Sequence, residues 1–453
     1  MSTSALDPSA EPLSAIDRLL GLFSEVRAGE GARALLMLVN VFLILICYYI
    51  LKTVREPLIL AASVPELLQG LGIHDTAEVK TYASAGQALL LMGFVPAYGW
   101  FASKVDRSKL VLGVTLFFVA NIVAFGLGVD ANVEHIGVYF FIWVGIFSLM
   151  IIAQFWSYAN DSYTKEAGSR LFPIIAIGST LGSPIGAWVT ARMFEARLPP
   201  DAMLYLAALL LLVTAGLFLP IDRSRSMRRE AVANDAPLGG KSGFALVFAS
   251  PYIRLIALLL VLLNVVNTTG EFILSHMVTL RAQALTGADS AFDKAAYIGA
   301  FYGDYFFWVN VAALVLQAFV ASRLVKRFGL AGVLFALPLI AVGSYGIIAL
   351  GATLAVVRWA KTAENSADYS VMNTAKQLMW LPTSREEKYK AKQAVDAFFY
   401  RIGDLAAAAV VFVGTSWLSM GSRGFAIANL LFLIAWLLLS ARIVRENRRL
   451  SAH

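Results

Sequence analysis

Residues 33–57 read Arg33-Ala-Leu-Leu-Met-Leu-Val-Asn-Val-Phe-Leu-Ile-Leu-Ile-Cys-Tyr-Tyr-Ile-Leu-Lys52-Thr-Val-Arg55-Glu56-Pro57. Apart from Asn40, every residue from Ala34 to Leu51 is apolar or a tyrosine. As a helix, a run of this length crosses the roughly 30 Å of hydrocarbon in a bilayer. Lys52, Arg55 and Glu56 then stand where a membrane helix wants only hydrocarbon. Fixed charge at that depth is costly and marks a pathway for a charged solute. Lys52 and Arg55 are three apart and share a helix face. Pro57 lacks an amide hydrogen and disfavours helix at Glu56, so a break is expected there, leaving backbone groups open beside two cations. Such a break is tolerated only against protein or a watery cavity. The other reading is that Pro57 ends the helix at the outer surface and the charges snorkel to head groups. Leu58 to Val64 extend the run to about 30 residues, about 45 Å of helix, so it must tilt, bend or protrude.

The rest of the chain repeats this pattern. With 59% hydrophobic and 15% charged residues over 453 positions, and a mean hydropathy of +0.71, it is too apolar for a soluble globular protein and reads as an all-α polytopic membrane protein. Apolar runs fall near residues 33–56, 84–103, 110–128, 137–159, 171–193, 202–221, 252–278, 297–322, 330–346, 347–369, 392–414 and 424–442. That makes about twelve spans of bilayer-crossing length. No alternating ten-residue pattern suggests a barrel.

The net charge of +7 is a topology signal. Lys104, Arg107 and Lys109; Arg223, Arg225, Arg228 and Arg229; Arg323, Lys326 and Arg327; and Arg442, Arg445, Arg448 and Arg449 all fall on one face if there are twelve spans. The opposite loops carry Glu66, Asp75, Glu78, Asp130, Glu134, Asp289 and Asp293. By the positive-inside rule both termini are cytoplasmic, with a bacterial inner membrane as the expected location and no nucleic-acid partner. Cys47 is the single cysteine, and the four histidines His74, His135, His276 and His453 show no ligand spacing. Neither a disulfide, a metal site nor a cofactor is expected. No nucleophile, base and orienting acid cluster, so an enzyme is not expected either. The first 30 residues hold no cleavable apolar core, so no signal peptide is expected. Within them Ile16, Leu19, Leu20, Phe23 and Val26 recur at helical spacing, predicting a short helix on the cytoplasmic interface.

Asp222 to Lys241 is the one long polar stretch and leaves six spans on each side. The chain thus divides into a cytoplasmic segment (1–32), a six-helix bundle (33–221), a cytoplasmic linker (222–245), a second six-helix bundle (246–442) and a tail (443–453). Ala102-Ser-Lys-Val-Asp-Arg107 after the second span echoes Ala321-Ser-Arg-Leu-Val-Lys326 after the eighth, an offset from 102 to 321 of 219 residues. Asn160-Asp161-Ser-Tyr163 echoes Glu364-Asn-Ser-Ala-Asp-Tyr369. These features favour the major-facilitator architecture, in which two bundles rock about a central site.

Candidate site residues follow from charge inside the spans. Glu271 lies in the seventh run, and subtracting the repeat offset brings it level with Lys52, so a gate between Glu271 and Lys52 or Arg55 is expected, with a static ion pair as the rival. In the tenth span Arg358, Lys361, Glu364 and Asp368 form one polar stripe, with Asn365 beside it, and should face a cavity. Lys376, Arg385, Lys388, Lys390 and Lys392 follow, then Asp396, Arg401 and Asp404, divided between a cytoplasmic loop and a cavity mouth. A cavity lined by lysine and arginine with aromatic residues nearby, such as Tyr49, Phe155, Trp156 and Trp308, suits an anion carrying a flat ring.

At these residues the chain resembles the nucleotide (ATP/ADP) transporter family of plastids and intracellular bacteria. The likeness covers roughly residues 35–405. It rests on Tyr48 to Lys52 followed by Arg55-Glu56, where the family has Lys-Asp. It rests also on Trp156, Tyr158, Ala159, Asn160 and Asp161 after the fourth span, and on Glu271 in the seventh. The longest pattern is Tyr369-Ser370, Lys376, Leu381-Pro382, Lys388, Lys390, Lys392 and Asp396. Departures are Asn373-Thr374-Ala375 in place of Asp-Pro-Thr, and Ser275 and His276 near the position of a family lysine.

The resemblance implies a secondary transporter for nucleotides or related phosphorylated anions, by exchange or proton-coupled uptake. It implies substrate binding by Lys52, Arg55, Asp161, Glu271, Lys361, Asn365, Lys376, Lys390 and Lys392. Gating or proton coupling is expected of Glu56, Glu271, Glu364, Asp368 and Asp396. The partners expected are a small anionic substrate and the lipid bilayer. The alternatives are a proton-coupled carrier of another organic anion and a non-transporting sensor or scaffold.

Overall fold

The computed structural model describes residues 13–102, 104–223 and 242–451; most of the polar linker lies outside the described residues. Among the described residues ten helices are long and apolar enough to cross a bilayer. One of them, Lys294–Ala349, runs to 56 residues, far longer than any bilayer requires. It turns at Gly329, whose φ of 61° and ψ of −147° are open only to glycine, and so supplies the eighth and ninth spans. The tenth, Leu354–Met379, is too charged to count on composition alone. Among the described residues the chain thus folds as twelve spanning helices, the all-α membrane architecture expected.

The first helix runs unbroken from Gly31 to Leu60 with Pro57 inside it. The expected break at Glu56 does not occur. Proline removes one hydrogen bond, to the Thr53 carbonyl, and neighbouring helices hold the segment in register around that gap. Gly137 approaches so closely that an added Cβ would lie 2.0 Å from the Leu58 carbonyl.

The chain divides into two compact units that cut through helices. The first comprises Met1–Val54, Trp100–Val133 and Val144–Ala233; the second comprises Arg55–Gly99, Glu134–Trp143 and Asn234–His453. In the first unit the fifth helix, Lys165–Glu195, meets the first through Gly178, Gly182 and Gly186. Cβ atoms there would lie 2.2, 2.5 and 2.8 Å from the carbonyls of Leu38, Phe42 and Ile46. Lipid offers no hydrophobic drive for helix association, so such small-residue contacts and interhelical hydrogen bonds hold membrane bundles. Asn40 donates to the Thr214 carbonyl at 2.8 Å, tying the first helix to the sixth, Pro200–Arg223.

The N-terminal segment forms the short helix Ala15–Leu20, capped by Ser14. Leu20 and Val26 turn inward onto Ala34, Leu171 and Ile174, while Leu19, Leu22 and Phe23 stay exposed. Buried Asp17 accepts from the Gly31 amide at 2.8 Å and so fixes this segment to the start of the first helix.

In the second unit the seventh helix, Pro251–Ala288, is a spine of 38 residues. Tyr252 donates to the Met379 carbonyl at 2.7 Å, Asn264 to the Tyr400 carbonyl at 2.8 Å, and Thr269 to Asn429 at 2.7 Å, joining it to the tenth helix, the eleventh (Glu387–Trp417) and the twelfth (Ser422–Ser451). The tenth and eleventh helices contain π-helical turns at Asp368–Met372, Glu387–Ala391 and Val395–Phe399. Turns of this kind widen the backbone and recur at functional sites.

Candidate functional site

The tenth helix carries the buried charge. Lys361 is fully buried, and its amine lies 2.9 Å from Glu364 and 3.8 Å from Glu271 of the seventh helix. Room for that amine comes from Gly270, where an added Cβ would stand 2.6 Å from Lys361 Nζ and 2.0 Å from the Tyr345 hydroxyl. Tyr345 donates to Glu364 at 3.0 Å. Asn365 donates to Glu271 at 2.8 Å and to the Tyr305 hydroxyl at 2.7 Å, and Tyr305 donates to Glu271 at 3.2 Å. The polar stripe read from the spacing therefore exists, and Lys361, Glu364, Asn365 and Glu271 converge. A charge at such depth persists only when paired and hydrogen-bonded, and this one is both. Tyr305, Tyr345 and Gly270 were not foreseen; buried tyrosines and glycines in an apolar helix give no sequence signal for a polar network.

At the end of the second unit that carries the basic loops, Asn373, Lys376, Gln377, Trp380, Lys392, Asp396 and Tyr400 with Leu260 line a cavity of roughly 230 Å³. Lys376 pairs with Asp368 at 3.3 Å, and its amine lies 5.7 Å from the centre of the Tyr400 ring. Lys392 donates to Gln377 at 2.8 Å. Lys390 lies 3.4 Å from Glu386, outside this lining. Lys388 is exposed. Lys376 and Lys392 of the run thus line the cavity, while Lys388 and Lys390, in the π turn Glu387–Ala391, lie outside its lining.

At the acidic-loop end Glu56 is fully buried and lies 3.0 Å from Arg55 and 2.7 Å from Lys80. Arg55 also sits over the Phe141 ring. Arg55 thus pairs with its own neighbour Glu56, and Glu271 meets Lys361, Asn365 and Tyr305. The apolar run that begins near residue 84 leaves out Lys80, whose helix begins at Thr76. In the first unit, the Lys52 amine lies 5.1 Å from the Tyr49 ring centre and 5.9 Å from that of Tyr48. Asp161 pairs with Arg107 at 2.8 Å at the basic-loop end, where both side chains are partly exposed. This pair ties the end of the fourth helix, Ile136–Ser162, to the start of the third, Arg107–Asp130.

No family model matches the chain. It is similar to ADP,ATP carrier protein 1 of Chlamydia muridarum, 25% identical over 296 residues, covering 56% of this chain and 54% of that protein. The same-named protein of Chlamydia pneumoniae is 24% identical over 297 residues, covering 56% of each. This chain resembles the ADP,ATP carriers. It spans about half the length of the curated relatives it matches. Among solved structures it is similar to the nucleoside transporter NupG, with a TM-score of 0.61 at 15% identity, covering 91% of this chain and 98% of that one. The POT family transporter PepTSo gives 0.63 at 12%, covering 93% and 99%. At such identities the likeness shows the fold, which is major-facilitator-like. The resemblance to nucleotide carriers read from the motifs is thus met again over 56% of this chain.

Proposed function

We propose that the chain is a secondary transporter of nucleotides or related phosphorylated anions, working by alternating access in a bacterial inner membrane with both termini cytoplasmic. The moving bodies are the six-helix bundles 33–221 and 246–442, joined by the linker 222–245. The observation that carries the reading is the cavity where Lys376 and Lys392 meet Trp380 and Tyr400. Lysines neutralise phosphate as point charges, and aromatic faces stack on a flat ring. The ADP,ATP carrier relatives support the same substrate class. In this reading Lys376 and Lys392 receive the phosphates at the cytoplasmic side, with Lys390 at the rim. Lys52, Arg55 and Lys361 carry the anion onward, and Asn365 positions Glu271. Asp161 holds the loop between the second and third helices. Binding of labelled ATP to purified protein tests this: the Lys376→Ala and Lys392→Ala variants should each weaken binding about ten-fold or more, the loss expected for one charge-assisted contact to phosphate. Unchanged affinity in both would reject this site.

A second reading, a proton-coupled carrier of another organic anion, is favoured by the pair of carboxylates that share Lys361. Glu364 is buried, and its Oε2 has no hydrogen-bond partner among the described residues. Proton uptake driven by an anion that nucleotides do not displace would select this reading. In either case Glu56, Glu271, Glu364, Asp368 and Asp396 are the groups proposed for gating or coupling.

A further inference from the structure

Among the described residues, four contacts at the acidic-loop end of the second unit join the first half of the chain to the second. Lys80 donates to Ser275 at 2.9 Å, and its amine lies 4.9 Å from the centre of the Tyr302 ring. Ser275 and Tyr302 share a hydrogen bond of 2.9 Å. Thr415 of the eleventh helix donates to Glu78 at 2.9 Å. Asp75, just before the second helix, contacts His276 of the seventh.

The chemistry of these contacts is uneven. Lys80 keeps its charged partner, Glu56, on its own half, and reaches across only to hydroxyls and a ring. Separating the halves there breaks hydrogen bonds and leaves the ion pair intact, so opening does not strand a buried charge. Glu78 likewise meets a hydroxyl. Of the four, only the Asp75–His276 contact joins an acid to a base across the halves. Both side chains are partly exposed, 20% and 25%, so water reaches them. His276 also lies against Phe272, ring centres 5.8 Å apart.

We infer that these contacts form the outer gate of the transport cycle, and that Asp75–His276 makes its closed state proton-sensitive. The inference rests on the alternating-access reading and adds to it a specific device. Imidazole changes charge between about pH 5 and 8. Imidazolium holds the Asp75 carboxylate by a charge-assisted hydrogen bond, roughly twice as strong as a neutral one. Acid therefore fastens the gate and neutral pH loosens it. The other charged and titratable groups around the contact are Glu78, Lys80 and Tyr82 of the second helix and Lys294 and Tyr302 of the eighth. Glu78 and Tyr82 bond to each other at 3.1 Å, and Lys80 bonds to Glu56, so their charges are engaged within the first half.

The single cysteine, buried Cys47, makes the test direct. In a Cys47→Ala background, Thr279→Cys places a thiol at a buried position one turn from His276 on the same helix face. Its labelling by a membrane-impermeant maleimide, applied from the acidic-loop side, reads gate opening without any substrate. Rates are normalised to a cysteine at exposed Leu71, which removes the reagent's own pH dependence. The normalised rate should fall about five-fold from pH 8 to pH 5.5, the factor separating a charge-assisted from a neutral hydrogen bond. His276→Gln and Asp75→Asn, each checked for a monodisperse folded peak, should abolish that fall. A rate that is flat in the parent, or that falls equally in both variants, overturns the inference. Nucleotide flux is measured separately: its absence with pH-dependent labelling intact rejects the substrate reading and leaves the gate, whereas flux with flat labelling rejects the gate alone.

Discussion

Lys361 concentrates the energetics of the second unit, because its amine is dry and lies between two carboxylates. Lys361→Ala leaves Glu364 buried without its cation and should destabilise the protein by about 3–5 kcal/mol. Adding Glu364→Gln to Lys361→Ala should recover part of that loss, since the two residues act as one unit and their effects are not additive. Thermal unfolding in detergent compares the single and double variants. Gly270→Ala should mimic the lysine loss by driving a methyl group into the Tyr345 hydroxyl and the Lys361 amine. By contrast, Arg107→Ala breaks a partly exposed pair with Asp161 and should cost only about 0–1 kcal/mol of stability. At this scale the sequence was informative where charge stood in an apolar run, as for Lys361, Glu364 and Glu271. It was silent for Tyr305 and Tyr345, whose polar ends look like any membrane tyrosine. It did not show the Arg55–Glu56 pair, since nothing in the spacing says that an adjacent glutamate takes the guanidinium.

Among the elements, the contact between the first and fifth helices is the most sensitive. Gly178→Ala puts a Cβ 2.2 Å from the Leu38 carbonyl, an atom of rigid backbone, and should prevent the helices from closing. Loss of the monodisperse peak on gel filtration is the expected outcome. Gly216→Ala, where an added Cβ meets nothing within 4 Å, should leave the peak intact or raise the melting temperature, because alanine favours helix by up to about 1 kcal/mol. Element positions were largely legible, since apolar runs of bilayer length admit little else. The exceptions have physical causes. The start of the second helix was placed late because Glu78 and Lys80 look like loop residues until their partners Thr415 and Glu56 are seen. Pro57 was read as a break because local propensity does not include the neighbouring helix that holds the segment. The π turns around Asp368 and Lys392 leave no mark in the sequence, being fixed by packing.

The whole molecule joins a major-facilitator-like fold to a cavity carrying paired lysines and aromatic rings. About twelve spans were readable from the apolar runs, and a cavity mouth was expected near Lys376 and Lys392. That Trp380, Tyr400 and Leu260 complete its lining was not readable, because the cavity forms where the ends of the tenth and eleventh helices converge with the seventh. In the proposed reading its lysines receive a phosphorylated anion, which rocking of the fold would move. Counterflow in proteoliposomes tests that union most directly: vesicles loaded with excess unlabelled ATP or ADP take up trace labelled ATP, with Lys376→Ala and Lys392→Ala alongside. The account predicts saturable uptake, faster with internal nucleotide than without it or driven by an imposed proton gradient, and reduced in both variants. Uptake no greater than in empty liposomes under every loading and gradient would contradict it.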